Sequence, residues 1–142
     1  MTALQVEAGI GGMGEHPAAV RRRLIPDAAQ VQIIFGSLLG GARIQGRSGE
    51  RWLRLDASAE RASYIEWKYE RLATLSDSAP IVEGDRIGFC TIAHPLFDDL
   101  AALLPARRRV IVRHLTPLGL AVWLTDVGRL ELRPEVFVPV AA

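Results

Sequence analysis

The chain has 142 residues, with 17 lysines and arginines against 16 aspartates and glutamates, so its formal net charge is +1 at pH 7. Hydrophobic residues make up 49% of the sequence and charged residues 23%, a balance that favours one folded domain over a disordered chain. A single cysteine, Cys90, excludes an internal disulfide and favours a reducing, cytoplasmic location. We expect neither a secretory signal nor a membrane span, since no segment has about 20 consecutive apolar residues.

Residues 1–24 are rich in glycine and poor in large apolar side chains, which predicts a flexible arm before a domain over residues 25–142. Gly9, Gly11 and Gly14 match the spacing of a dinucleotide-binding fingerprint. That fingerprint works within a strand–turn–helix unit, whereas only the short segment 4–6 precedes it here and Pro17 follows it closely. We therefore interpret these glycines as part of the arm.

The order of predicted elements is helix, two strands, helix, two strands, helix, which is an α+β arrangement without a βαβ unit. Asp27 is a candidate N-cap of the first helix, and Gly40 and Gly41 end it. The next predicted elements are strands 42–47 and 51–57, a helix over 58–75, strands 81–83 and 86–93, and a helix over 95–104. The pattern then predicts a strand over 110–113, a helix over 117–127 and an edge strand or loop over 130–140.

The first predicted hairpin has a polar and an apolar face, because side chains alternate along a strand. Its polar face carries Arg43, Gln45, Arg47, Trp52, Arg54 and Asp56. The matching face of the second hairpin is less polar and reads Arg86, Gly88, Cys90 and Ile92. The cluster of three arginines at 107–109 either contacts phosphates or lies on a solvated surface, and His94 is expected at the start of a helix.

Two segments resemble the signature helices of the LAGLIDADG homing endonucleases. They are IIFGSLLGGA at residues 33–42 and LTPLGLAVWLTDVG at residues 115–128. Between them, YIEWK at 64–68 and FCTIAHP at 89–95 stand where the family has a Tyr-x-x-Trp-Lys helix and a Phe-x-Thr-x-x-His-Pro segment. The resemblance covers about residues 27–131 and implies the αββαββα half-saddle of that family with an added second signature helix.

The resemblance also implies that the two signature helices pack together through small residues. The positions concerned are Gly36, Ser37, Gly40, Gly119 and Ala121. The alternative is that glycine in an apolar helix simply tolerates crowding, as it would in any core.

In that family each signature helix ends in a carboxylate that holds a divalent metal, and both carboxylates are replaced in this chain. Gly41 stands at the first position and Val127 at the second, with Asp126 the nearby carboxylate. Because neighbouring residues on a helix lie about 100° apart, we expect Asp126 to point elsewhere. No catalytic residue, metal site or cofactor is therefore expected, unless an active enzyme uses Mg²⁺ through other ligands that include Asp126.

Family members read duplex DNA with the polar face of the sheet, so the resemblance implies DNA contacts through Arg43, Gln45, Arg47, Arg54 and Arg86. Three hypotheses stay open: a DNA-binding protein that has lost nuclease activity, an active Mg²⁺-dependent endonuclease, and a protein-interaction remnant that uses an apolar face around Cys90 and Ile92. About 14 residues follow Gly128, too few for a second half of the fold. We therefore expect either a homodimer or a single half.

Overall fold

The computed structural model describes residue 20 and residues 23–104, 106–132 and 137–140. The helices are α1 (Ala28–Leu39), α2 (Ala62–Arg71), α3 (Pro95–Leu103), α4 (Arg108–Arg113) and α5 (Pro117–Asp126). The strands are β1 (Arg43–Gln45), β2 (Trp52–Ser58), β3 (Ile81–Glu83), β4 (Arg86–Cys90), β5 (Arg129–Leu132) and β6 (Phe137–Val140). The glycine fingerprint and most of the predicted arm lie outside the described residues.

The strands β1 to β4 form one antiparallel sheet in the order β1-β2-β4-β3, while β5 and β6 form a separate hairpin. Leu53 and Leu55 on β2 and Ile87 and Phe89 on β4 are almost fully buried, so one face of the sheet belongs to the core. Helix α2 packs against β2 and β4 on that side. The opposite face carries the polar side chains and is open.

Helices α1 and α5 lie side by side and contact each other more extensively than any other pair of elements. At Gly36 an added Cβ would collide with the carbonyl oxygen of Gly119 and lie 2.8 Å from the Cβ of Val122. The side chain of Gln32 ties the helices further, since it accepts from Thr116 N at 2.8 Å and donates to the His114 carbonyl at 2.9 Å. The missing side chain of Gly36 therefore sets how closely the helices approach.

The other small residues of the expected helix interface lie in different surroundings. Ser37 is fully buried, and a Cβ on Gly40 would collide with the Cβ of Asp126 at the far end of the pair. Ala121 is exposed and lines a surface groove with Tyr64 and Trp67 of α2. Ala121 therefore faces α2 as well as solvent, unlike the glycines.

The sequence pattern misidentified the segments 110–113 and 130–140 and one surface residue. The edge strand or loop predicted over 130–140 instead contains β5 and β6, which pair with each other. The segment predicted as a strand at 110–113 belongs to α4, which buries Ile111 and lets Arg108 Nη2 donate to the Leu39 carbonyl at 2.7 Å. A run of four apolar and charged residues is too short for periodicity to separate helix from strand. Ile92, expected on an open apolar face, is 5% exposed; it follows the end of β4, where its backbone N–H donates to the Leu75 carbonyl at 2.7 Å.

Several ends of elements follow the sequence signals. The side chain of Asp27 accepts from Gln30 N at 2.8 Å while the Gln30 side chain accepts from Asp27 N, which is a capping box. His94 caps α3 by accepting from Leu96 N at 3.0 Å, as expected of a residue at a helix start. Within the described ranges, no helix is long and apolar enough to cross a membrane.

Candidate functional site

Three of the arginines expected to bind DNA surround one carboxylate on the open face of the sheet. Asp56 Oδ2 lies 3.5 Å from Arg43 Nη2 and 3.6 Å from Arg54 Nε. Its other oxygen accepts from Arg86 Nη2 at 2.6 Å. The side chains of Arg43 and Arg86 are 62% and 53% exposed, while that of Asp56 is 21% exposed. We call this group the Asp56 cluster, namely Asp56, Arg43, Arg54 and Arg86.

The register of the sheet makes room for the Asp56 cluster. Asp56 pairs with Gly88 on β4, and Arg54 pairs with Cys90. A Cβ on Gly88 would lie 2.6 Å from the Cβ of Asp56 and 2.8 Å from Arg54 Nη2. Glycine at position 88 therefore leaves the space that the Arg54 guanidinium occupies beside Asp56.

The two other expected DNA-contacting residues lie at the end of β1. Trp52 Nε1 donates to Gln45 Oε1 at 3.2 Å, so these side chains share the face with Arg43. The strand ends at Gln45 because Gly46 has a φ of 91°, a conformation that favours glycine. Arg47 consequently lies in the turn rather than in the predicted strand, and it is exposed.

A cavity of about 350 Å³ lies where the ends of α1 and α5 meet the sheet. Its walls combine glycine backbone with five charged side chains, which are Asp56, Arg61, Lys68, Arg86 and Asp126. Since Asp56 and Arg86 also belong to the Asp56 cluster, the cavity is continuous with the open sheet face.

Lys68 and Asp126 form an ion pair inside this cavity. Lys68 Nζ lies 2.9 Å and 2.8 Å from the two oxygens of Asp126, and the ammonium side chain is 4% exposed. Tyr64 donates its hydroxyl proton to Asp126 Oδ1 at 2.6 Å. Burial lowers the pKa of Lys68 even though Asp126 opposes the shift, and burial together with the bond to Asp126 raises the pKa of Tyr64. Both oxygens of Asp126 are thus engaged by protein donors.

The donor set at the helix ends does not fit a divalent cation. Gly41 has a φ of 113° and offers no side chain, and Val127 is aliphatic. Asp126 reaches the cavity beside Gly41, against the expectation from helical spacing, but Lys68 neutralises it. Among the described residues, no group of three or more His, Cys, Asp or Glu side chains could hold a metal ion. Mg²⁺ prefers several oxygen ligands in octahedral geometry.

Sequence reasoning missed the partners of Lys68 and Asp56. Lys68 is the single lysine of the chain and falls on the same helix face as Ile65 and Leu72, which are buried. A lysine on an apolar helix face predicts a buried partner, although not which one. Asp56 shares a strand face with Arg54, and this spacing of two residues was the local signal for the Asp56 cluster.

Comparisons with known proteins agree with this architecture. A sequence model of the LAGLIDADG DNA endonuclease family matches residues 31–137. The structure of the homing endonuclease I-WcaI bound to its DNA recognition sequence matches 84% of this chain and 60% of that chain, with a TM-score of 0.64 and 19% identity. The α+β, αββαββα architecture expected from the sequence is therefore confirmed.

Two relatives are proteins named RecA. The RecA protein of Mycolicibacterium fallax is 34% identical over 145 residues, which cover 91% of this chain and 32% of that protein. The RecA protein of Mycobacterium shimoidei is 29% identical over 140 residues, covering 89% of this chain and 32% of that protein. The chain thus spans about a third of the length of the RecA proteins that it matches.

Proposed function

Because the chain belongs to the LAGLIDADG DNA endonuclease family, we propose that it binds duplex DNA through the open face of its sheet and no longer cleaves it. The observation that carries this proposal is the group of arginines on that face, Arg43, Arg54 and Arg86. The chain shares the fold of the homing endonuclease I-WcaI, which is bound to its DNA recognition sequence in the solved structure. The major groove of B-DNA admits a two-stranded β-ribbon, and arginine binds both phosphates and guanine edges.

Loss of cleavage follows from the chemistry of the helix ends. Hydrolysis of a phosphodiester through metal ions requires ligands that hold the ions beside the phosphate. Gly41 and Val127 supply no side-chain ligand, and Lys68 holds both oxygens of Asp126. An active Mg²⁺-dependent endonuclease, the alternative, would have to release Asp126 from Lys68 and Tyr64 before this carboxylate could hold a metal.

The binding proposal is tested by fluorescence anisotropy with randomised duplex DNA at several salt concentrations. We expect Arg43→Ala and Arg86→Ala each to weaken binding and to reduce the slope of log K against log salt by about one. Arg71→Ala is the matched control, since Arg71 is exposed on α2, the helix that covers the other side of the sheet. Equal affinities of all four proteins would contradict the proposal.

We infer that the similarity to RecA reflects an endonuclease-like segment within those proteins. The aligned region covers about nine-tenths of this chain and only a third of each RecA protein, and most of it is the part that matches the endonuclease family. No recombination activity is therefore assigned to this chain. We further propose a reducing, cytoplasmic location, consistent with the free thiol of Cys90, and a domain over residues 25–142.

A protein contact through the sheet is the second candidate function. Ile81 and Val82 lie on the edge strand β3, and each is 59% exposed. An exposed apolar edge strand is a surface on which another chain can pair, including a second copy of this one. Sedimentation velocity of the wild type and of Ile81→Arg tests the contact, for which we expect a dimer in the first and a monomer in the second. A monomeric wild type would contradict pairing with a second copy of this chain.

A further inference from the structure

The arginines of the Asp56 cluster already have an anionic partner in the protein. Each of the three guanidinium groups lies within 3.6 Å of an Asp56 oxygen. A carboxylate and a phosphate compete for the same guanidinium protons, because both are oxyanions that accept two parallel hydrogen bonds. Duplex DNA must therefore displace Asp56, or bind beside it, to engage these arginines.

We propose that Asp56 is a specificity-determining residue that restrains Arg43, Arg54 and Arg86 and so suppresses binding to DNA of arbitrary sequence. The inference rests on the DNA binding proposed above. Phosphate contacts supply affinity without sequence information, whereas base-edge contacts supply discrimination. The Asp56 carboxylate weakens the phosphate contacts of the arginines. It also holds their guanidinium groups in fixed positions, in which they can bind base edges.

The three arginines differ in how tightly Asp56 holds them. Arg86 makes the shortest contact, 2.6 Å, while Arg43 and Arg54 lie at 3.5 and 3.6 Å. Arg54 is 22% exposed and packs over Gly88, so its position is fixed by the sheet as well as by Asp56. Arg43 is 62% exposed, and exposed ion pairs contribute little free energy. Arg43 is consequently the arginine that DNA would release first.

A second carboxylate of the same face is a poor substitute for Asp56. Glu83 Oε1 lies 3.8 Å from Arg54 Nη2, and the Glu83 side chain is 75% exposed. Water screens a pair of this kind, so Glu83 holds Arg54, and Arg86 opposite it in the β3–β4 register, only weakly. Removal of the Asp56 charge is therefore expected to release the arginines rather than to transfer them to Glu83.

The test compares the wild type with Asp56→Asn, which keeps the shape of the side chain and an oxygen that accepts from Arg86. With randomised duplex DNA in the anisotropy assay, we expect Asp56→Asn to bind about tenfold more tightly at low salt. The slope of log K against log salt should steepen by roughly 0.9 for each additional phosphate contact. Sequences selected by the variant from a randomised pool should be less uniform than those selected by the wild type.

Two further variants separate this effect from a change in net charge or folding. Glu66→Gln removes the same charge from an exposed position on α2, in the helix layer, and should leave the affinity unchanged. Asp56→Ser also removes the carboxylate, with a smaller side chain, and is expected to bind DNA more tightly than the wild type. It serves as the test if Asp56→Asn fails to fold. Asp56→Glu restores the charge and should return the affinity toward the wild-type value.

The outcomes distinguish this inference from the proposed function. If the wild type binds DNA and both Asp56→Asn and Asp56→Ser bind equally well or more weakly, the role of Asp56 is overturned while DNA binding stands. If the variants bind and the wild type does not, Asp56 suppresses binding as inferred, but the proposed function of the native chain fails. If no protein binds at low salt, both are overturned.

Discussion

Lys68 and Asp126 are 58 positions apart in the chain, and their ion pair is almost fully removed from water. Loss of one partner leaves a buried charge without compensation, whereas loss of both leaves an apolar contact. Lys68→Met should therefore reduce the free energy of unfolding by about 3–5 kcal/mol, as measured by urea denaturation.

Two comparisons control for the size of the Lys68→Met effect. The double variant Lys68→Met, Asp126→Leu should recover much of the loss, because no unpaired charge remains. Arg51→Met removes a more exposed partner of Asp98, 3.4 Å away, and should cost no more than about 1 kcal/mol. A loss from Lys68→Met as small as that from Arg51→Met would contradict the interpretation of this pair as buried.

Because of Tyr64, the stability that this site gives the protein is expected to change with pH in the alkaline range. Its folded-state pKa is raised by burial and by the bond to Asp126, so above pH 10 the unfolded chain releases the phenolic proton before the folded chain does. The stability that Tyr64 contributes is therefore fully present below pH 10 and falls as the pH rises above 10. At pH 7, Tyr64→Phe should cost about 1.5–3 kcal/mol, typical of a hydrogen bond to a charged group.

The measurement for Tyr64 is the difference in unfolding free energy between the wild type and Tyr64→Phe from pH 7 to pH 11. We expect this difference to narrow above pH 10. A difference that stays constant or widens over that range would show that Tyr64 is not a neutral donor to Asp126.

At the residue scale, the sequence predicted the strand face or helix end at which a side chain lies more reliably than it predicted the partner of that side chain. Alternation along the strands placed Arg43, Arg54 and Asp56 on one face, and the capping positions of Asp27 and His94 were local signals. The bond between Lys68 and Asp126 depends on how α2 packs against the end of α5, which local pattern does not specify.

The contact between α1 and α5 is the most extensive contact between two described elements, and it leads to a prediction about packing at Gly36. Gly36→Ala would place a Cβ against the Gly119 carbonyl, a backbone atom that cannot move aside without moving α5. We expect a loss of roughly 1–3 kcal/mol, typical of overpacking, measured by thermal or urea unfolding.

Ser37→Ala is the matched control on the next residue of the same helix. The Ser37 hydroxyl is buried and has no hydrogen-bond partner in the described structure, so its removal should be neutral or slightly stabilising. If Gly36→Ala and Ser37→Ala behave alike, close helix approach at Gly36 is not what limits substitution there.

At the element scale, glycine and capping residues marked most boundaries, whereas short segments were ambiguous. Gly84 at a φ of 63° forms the turn of the β3–β4 hairpin where the sequence predicts it. In contrast, α4 is only six residues long, and its helical form depends on burying Ile111 and on the Arg108 contact with the end of α1. Those tertiary contacts outweigh the strand propensity of Val110 and Val112.

At the scale of the whole molecule, the order helix–strand–strand occurs three times, and the units that begin with α1 and α5 resemble each other. Helix α1 leads into the β1–β2 hairpin, and α5 leads into the β5–β6 hairpin, with a glycine of positive φ, Gly41 or Gly128, after each helix. The two helices meet side by side, so the open sheet face and the helix-end cavity adjoin each other. The resemblance predicted the paired helices α1 and α5, whereas the β5–β6 hairpin and the residues that line the cavity were known only from the structure.

The central claim, that this chain retains DNA binding without metal-dependent cleavage, is tested most directly by one measurement. Purified protein is titrated into randomised duplex DNA at several salt concentrations with Mg²⁺ present, and the recovered DNA is examined on a denaturing gel. We predict salt-sensitive binding with intact strands. Strand breaks that depend on Mg²⁺ and disappear in Asp126→Asn would contradict the argument from Gly41, Val127 and Lys68, and absence of binding at low salt would contradict the assignment of the sheet face.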